Sequence, residues 1–328
     1  MTNPLIYRCA VMAAVAVLMA TLASAGWAQD PIPSRTLTFV VPQTTGGSND
    51  VLARALATHI VKFLDRPIVV DNRPGAGGNI GTASVVKAPN DGSVWLVTGG
   101  STQTMNPWLY RVPAFDPIRD FEPVSGIAIV PHLVLVAPGF HVNSLADMLT
   151  LVKKNPGKYF YGSAGNGSFS HLLMELMKRS QGVEITHIPF KGVAPAMTEL
   201  LADRIQILIS TLPAAMPYVK SGKVKAIAIT SAARSKVVPD VPPAPDTVPG
   251  MIGEFWVAMY APKGIAEGAV ARMREAVAKT LVSPEMAQFM RAQGAEPFNL
   301  SPKELAARTE NELRTWGKII KDAGITVD

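Results

Sequence analysis

The chain has 328 residues, 31 Lys+Arg against 25 Asp+Glu, a formal net charge of +6 and 48% hydrophobic residues. That apolar content excludes an intrinsically disordered chain, and mild basicity with no basic run interleaved with aromatics weighs against nucleic-acid binding. A single cysteine, Cys9, excludes a disulfide framework.

Residues 1–8 carry one cation, Arg8, and no acid. Residues 9–22 are almost wholly apolar, the length of a secretory core rather than of a ~20-residue membrane span. Small residues follow in Ala23-Ser24-Ala25 and Gly26-Trp27-Ala28. The reading is a signal peptide over 1–28, cleaved after Ala28. Its loss removes only Arg8 and Cys9 among charged and thiol groups, leaving +5 and no cysteine, which suits an exported periplasmic protein. The remaining chain of about 300 residues exceeds the usual single-core size and predicts two domains.

Strand and helix signals then alternate, the pattern of an α/β fold. Residues 37–41 read as a strand and 48–62 as a helix, with Val51, Leu52, Ala55, Leu56 and Ile60 on one face and Ser48, Asn49 or Asp50 as cap. Strands follow at 68–70 and 94–98, with a helix at 82–87. A buried strand is predicted at 133–137 and a helix at 144–154, stopped by Asn155-Pro156-Gly157. Residues 159–163 and 170–180 read as strand and helix. Residues 186–188, 194–202 and 205–210 read as strand, helix, strand, and 224–230 as a further strand. Five prolines within 237–249 mark a linker outside the core. A strand at 255–261 and helices at 266–283 and 302–321 complete the chain. Ser301-Pro302-Lys303-Glu304 carries an N-cap, a first-turn proline and a capping-box glutamate.

Three glycine-bearing loops each join a predicted strand to a predicted helix. They are Thr44-Thr45-Gly46-Gly47-Ser48-Asn49-Asp50, Gly75-Ala76-Gly77-Gly78-Asn79 and Ser163-Ala164-Gly165-Asn166-Gly167-Ser168. Such junctions place backbone N–H groups beyond the carboxyl ends of strands, where anions and small ligands bind. One such loop alone is usually a turn; three point to a ligand site. The dinucleotide and phosphate-loop fingerprints are not met, and there is no Gly-x-Ser-x-Gly elbow. The histidines His59, His132, His141, His171 and His187 show no metal-pair spacing, and no pair of acids stands out. No cofactor, metal site or catalytic group is therefore expected. His171, at the start of a helix after the third loop, either donates to a ligand or bonds the loop. Lys191 is a second candidate to meet a carboxylate.

The chain resembles the solute-binding proteins of tripartite tricarboxylate transporters, the Bug family. The marks are Gly46-Gly47-Ser48-Asn49-Asp50-Val51-Leu52-Ala53-Arg54, Asn72-Arg73-Pro74-Gly75-Ala76-Gly77-Gly78-Asn79-Ile80-Gly81, Pro89-Asn90-Asp91-Gly92 and Asn106-Pro107-Trp108-Leu109-Tyr110. Further marks are Tyr161-Gly162-Ser163-Ala164-Gly165, His187-Ile188-Pro189-Phe190-Lys191-Gly192 and Ala228-Ile229-Thr230-Ser231. The resemblance implies a two-lobed periplasmic-binding-protein fold (Venus flytrap, type II-like) with the ligand between lobes. It places lobe 1 at 29–128 and 230–328 and lobe 2 at 129–229.

In such receptors the first two loops hold a carboxylate with backbone amides, often through water, and the second lobe sets selectivity. By position, Thr44, Thr45, Gly47, Ser48, Asn49, Asp50, Gly75, Ala76, Gly77 and Asn79 form the first-lobe cradle. Ser163, Ala164, Gly165, Gly167, Ser168 and His171 form the second-lobe side. Ser210 stands where many members carry aspartate, which argues against an amino-acid ligand. The implied function is capture of a small organic carboxylate by a monomer and its delivery to a membrane permease. A receptor for a signalling kinase is the alternative, and an enzyme is the least supported.

Overall fold

The computed structural model describes residues 31–190 and 192–327. The signal-peptide reading of 1–28 and the expectation for Lys191 lie outside the described residues. In chain order the elements are β1 Leu37–Val41, α1 Ser48–Leu64, β2 Ile68–Asn72, α2 Asn79–Val86, β3 Val94–Gly99, α3 Gly100–Thr104, α4 Asn106–Leu109 and β4 Phe121–Val136. Then come α5 Leu145–Lys154, β5 Phe160–Ser163, α6 Phe169–Gln181, β6 Thr186–Pro189, α7 Val193–Leu201, β7 Ile207–Thr211, α8 Leu212–Lys220 and β8 Lys225–Ile229. Last are β9 Glu254–Pro262, α9 Glu267–Leu281, α10 Pro284–Ala292, β10 Glu296–Pro297 and α11 Pro302–Ala323.

The strands form one path in the order β2-β1-β3-β9-β4-β7-β5-β6, with β8 and β10 added against β4. β1, β2 and β3 are mutually parallel, as are β6, β5 and β7. Of these, β1, β3, β5 and β7 are mostly buried, as parallel strands require, while the edge strands β2 and β6 stay partly exposed. β4 is the shared member. Phe121 to Pro131 pairs with β9, and His132 to Val136 pairs with β7.

Two main cores lie along this path. One gathers Phe39, Leu56, Ile60, Trp95, Met259, Met273 and Met286; the other gathers Leu133, Leu135, Tyr161, Leu172, Met177, Ile207 and Ile229. α11 touches both ends: Leu305 packs beside Phe121, Trp256 and Tyr260, while Trp316 and Ile320 enter the second core.

Most predicted elements are present, with ends moved by a few residues. Three differences have physical causes. β4 begins at Phe121, twelve residues before the predicted strand at 133. Pro123, Gly126 and Pro131 disguise it, and the ladder takes up two register shifts, at Pro123/Ser125 and Gly126/Ala128. α8 does not show in the sequence pattern because Pro213 and Pro217 break it; Pro213 sits in the first turn, where a missing N–H costs nothing. The proline segment 237–249 is irregular but not outside the core. Val238, Val241, Ala244 and Val248 are buried in the second cluster, and Ile229 N donates to Pro242 O at 2.9 Å. Prolines remove donors without removing apolar surface.

The last helix starts as the sequence predicts. Glu304 N donates to Ser301 Oγ at 3.2 Å and Ser301 N donates to Glu304 Oε2 at 2.8 Å. Ser301→Ala is expected to lower the unfolding free energy by about 1 kcal/mol, read as a lower urea midpoint at unchanged slope.

Candidate functional site

The three loops leave the carboxyl ends of β1, β2 and β5. In-register pairing of Val41 with Asn72 sends the first two out side by side. Asn72 Nδ2 donates to Gln43 O at 3.1 Å, Gln43 Nε2 donates to Thr102 Oγ1 at 3.0 Å, and Asn49 Nδ2 donates to Gln43 Oε1. Asn49 and Asp50, read from the sequence as ligand-facing, turn inward and are 4% and 1% exposed. Asp50 accepts from Gly46 N at 2.8 Å and pairs with Arg54 Nε at 2.9 Å. Arg54 in turn donates to Asn72 Oδ1 at 2.7 Å. Burial pushes the Asp50 carboxyl up, but the Gly46 amide, Arg54 and Asn72 outweigh it and hold it below its ordinary value. Thr44 and Thr45 stay exposed at the tip.

Loop two bends through left-handed backbone at Gly75, Gly77 and Gly78, and Ala76 also has positive φ, at 45°. Asn106 at the start of α4 pins it, donating from Nδ2 to Gly77 O at 3.0 Å and to Asn79 Oδ1 at 2.8 Å. A methyl group on Gly77 would lie 2.9 Å from the Tyr110 hydroxyl and 3.3 Å from Asn106 Nδ2. Gly77→Ala therefore combines strain at φ +63° with a displaced Asn106. It is expected to weaken ligand binding at least tenfold, about 1.4 kcal/mol, measured by isothermal titration calorimetry.

Loop three is tied to itself and to the first turn of α6. Ser168 caps α6 by accepting from His171 N at 3.4 Å. Gly167 N donates to His171 Nδ1 at 3.1 Å, Ala164 N to Ser170 Oγ at 3.1 Å and Gly165 N to Ser163 Oγ at 3.1 Å. These amides are taken up within the loop, so the bonding role foreseen for His171 is present. Because Nδ1 accepts, the His171 ring is neutral with its proton on Nε2.

His171 stacks on His187 at 4.0 Å and 9°, and His187 on Tyr161 at 4.7 Å and 19°. Burial, with His171 beside it, pushes His187 down to about 4; burial also lowers His171. Ser163 Oγ lies 2.6 Å from His187 Nε2; Ser163 is fully buried and His187 half-buried. Ser210 is likewise buried, in β7 opposite Leu133.

A cleft of about 230 Å³ lies between loops two and three. Its polar lining is Gly77, Ser101, Asn106, Tyr110, Asn166 and Ser168, and Leu109, Phe169 and Val327 supply apolar walls. Among the described residues no lysine, arginine or acid lines it. Of the predicted site residues, Gly77, Gly167 and Ser168 line this cleft. Gly46 and Ser48 of loop one face a separate hollow of about 100 Å³, against Val130, Pro213 and Gln293. Larger hollows contain none of the three loops' glycines: one of about 780 Å³ lies over Trp108, Phe115 and Arg119.

Ser101, Asn106 and Tyr110 were not among the predicted site residues. The Asn106-to-Tyr110 run was visible as a sequence mark, but nothing local says that α3 and α4 carry it to the glycine loops.

The sequence pattern of the family described as "Tripartite tricarboxylate transporter family receptor" matches residues 52–325. The chain belongs to this receptor family. Protein BugT of Bordetella pertussis is 31% identical over 96% of this chain and 97% of its own length. Among solved structures, "R. palustris Rpa4515 with adipate" is 36% identical with a TM-score of 0.79, covering 90% of this chain and 99% of that one. MatC from Rhodopseudomonas palustris, with bound malate, is 30% identical with a TM-score of 0.75, covering 88% and 100%. The fold is thus the two-lobed α/β fold of the periplasmic solute-binding receptors, as the resemblance implied.

Proposed function

We propose that this receptor captures a small organic carboxylate, a di- or tricarboxylate or related anion, in the periplasm and presents it to the membrane permease of a tripartite transporter without turning it over. The observation that carries this reading is the cleft, lined by hydroxyl, amide and main-chain groups and, among the described residues, by no charged side chain. Such groups hold a carboxylate through charge-assisted hydrogen bonds, and a micromolar affinity needs only about 8 kcal/mol. The volume of about 230 Å³ lies below the range typical of drug-sized ligands and suits a small metabolite. The relatives bound to adipate and malate support the same class.

In this reading the chain passes between lobes at His132 and between Thr230 and Gly253. There Thr230 N donates to His132 O at 2.9 Å and Gly253 N donates to Thr230 O at 2.9 Å. Ligand contacts to both lobes favour the closed form.

The test is a thermal-shift screen of mono-, di- and tricarboxylates followed by calorimetry. A ligand at 100 times its Kd adds about 2.7 kcal/mol, a rise of a few degrees in Tm. No shift with any carboxylate, or a shift only with amino acids, overturns the reading. Product appearing by mass spectrometry overturns the non-catalytic part.

A further inference from the structure

The far wall of the cleft comes from an unexpected part of the chain. After α11 the backbone turns through Gly324 at φ +62°, and Ile325 N donates to Ile320 O at 3.1 Å. This turn carries Val327 back to the mouth of loop three. Val327 N donates to Leu109 O at 3.2 Å, which fixes it beside α4. A methyl group on Gly167 would sit 2.8 Å from Val327 Cγ1 and 3.0 Å from Leu109 Cδ1. The Val327 side chain is thus wedged between α4 and loop three, half-buried and facing the cleft.

We propose that Val327 is a specificity-determining residue that closes the apolar end of the cleft and sets how long an aliphatic chain the bound acid carries. The proposal rests on the carboxylate reading above and deepens it. The polar groups at Gly77, Ser101, Asn166 and Ser168 meet the carboxylate end. Leu109, Phe169 and Val327 are what remains for the methylene groups. Of these three, Leu109 is 3% exposed and belongs to the second core, and Phe169 is held edge-on against Trp316 at 5.6 Å. Both are fixed by packing. Val327 stands on a short segment held by its own amide, so its side-chain volume decides the depth of the cleft. The ligand class this selects is a short acid with a narrow aliphatic chain, because the wall is apolar and close.

The experiment is calorimetry on the full chain with a series of unbranched aliphatic monocarboxylates of increasing length, using wild type, Val327→Ala and Val327→Trp. The expected result is that Val327→Ala moves the best-bound acid to a longer chain, with the longer members gaining at least fivefold. Val327→Trp is expected to weaken the wild-type optimum at least tenfold. Gly167→Ala, which pushes on the same side chain from loop three, should lose affinity in the same direction as Val327→Trp. A thermal melt of each variant shows whether it is folded, and Val282→Ala, at a position 77% exposed and far along the chain in α9's flank, provides the unchanged reference. If wild type binds the series but both Val327 variants keep its order and affinities within twofold, the wall assignment is overturned and the carboxylate reading stands. If wild type binds no member of the series or of the wider carboxylate panel, both fall.

Discussion

Asp50→Ala is expected to lower the unfolding free energy by about 3 kcal/mol and to weaken carboxylate binding at least tenfold. The carboxylate is 1% exposed and takes bonds from Gly46 N and the Arg54 guanidinium. Removing it leaves a loop amide without its acceptor and a guanidinium facing a void. Each buried donor left unpaired costs about 1–3 kcal/mol, and breaking a buried ion pair from one side costs more than the pair contributed. Arg54 is about half exposed, so water recovers part of its share and the sum stays near 3 rather than 5 kcal/mol. The second loop feels the loss through Asn72, which bonds both Arg54 and Gln43 O. Asp50→Asn keeps the shape and an acceptor but loses the charge, so it should fall between wild type and Asp50→Ala. Urea unfolding and calorimetry on the three proteins measure both effects. Equal stability of Asp50→Ala and wild type would show that the loop does not depend on this carboxylate.

The same residue shows where sequence reading stops. Glycines at strand-to-helix junctions were legible because they answer to local backbone rules, and all three loops stand where the pattern puts them. Which way Asn49 and Asp50 face was not legible. Both sit in the first turn of α1, and their partners, Gln43, Arg54 and Asn72, come from three elements. Ser101 carries no local signature, and the Asn106-to-Tyr110 run says nothing of its place; they meet loop three only when α3 and α4 pack against it. Prolines misled in two directions. Within β4 and α8 they hid regular structure, and in 237–249 they suggested exclusion from a core that Val238, Val241 and Val248 in fact help to fill. Proline reports the loss of a donor and a fixed φ, and neither quantity says whether the neighbouring side chains are buried.

Acidification is expected to destabilise the receptor well above the range in which its carboxylates titrate, and His132 is the main cause. Its ring is buried where β4 passes from pairing with β9 to pairing with β7, 4.7 Å from the Phe169 ring, with Nδ1 lacking a hydrogen-bond partner. Burial pushes its pKa down to about 3 from 6.5. The folded protein therefore keeps it neutral, while the unfolded chain takes up a proton near pH 6.5. A lowered folded-state pKa means that the unfolded state binds more protons below 6.5, so stability is full above that pH and declines as pH falls toward 3. The slope for one such group is about 1.4 kcal/mol per pH unit, so His132 alone removes about 2 kcal/mol between pH 6.5 and 5. His187, pushed down to about 4, and His171, also lowered, act in the same direction. Urea unfolding of wild type at pH 7 and pH 5 should show the full decline. His132→Asn, which keeps the backbone bonds to Thr230 but cannot take up the proton, should be less stable at pH 7 and lose about 2 kcal/mol less on going to pH 5. A pH dependence identical to that of wild type would mean that the buried imidazole is not the group the acid attacks. Because the folded protein keeps His132 neutral down to about pH 3, the Phe169 ring that it meets at the cleft wall is undisturbed over that range, so the decline should appear in stability and not in the affinity of the folded receptor.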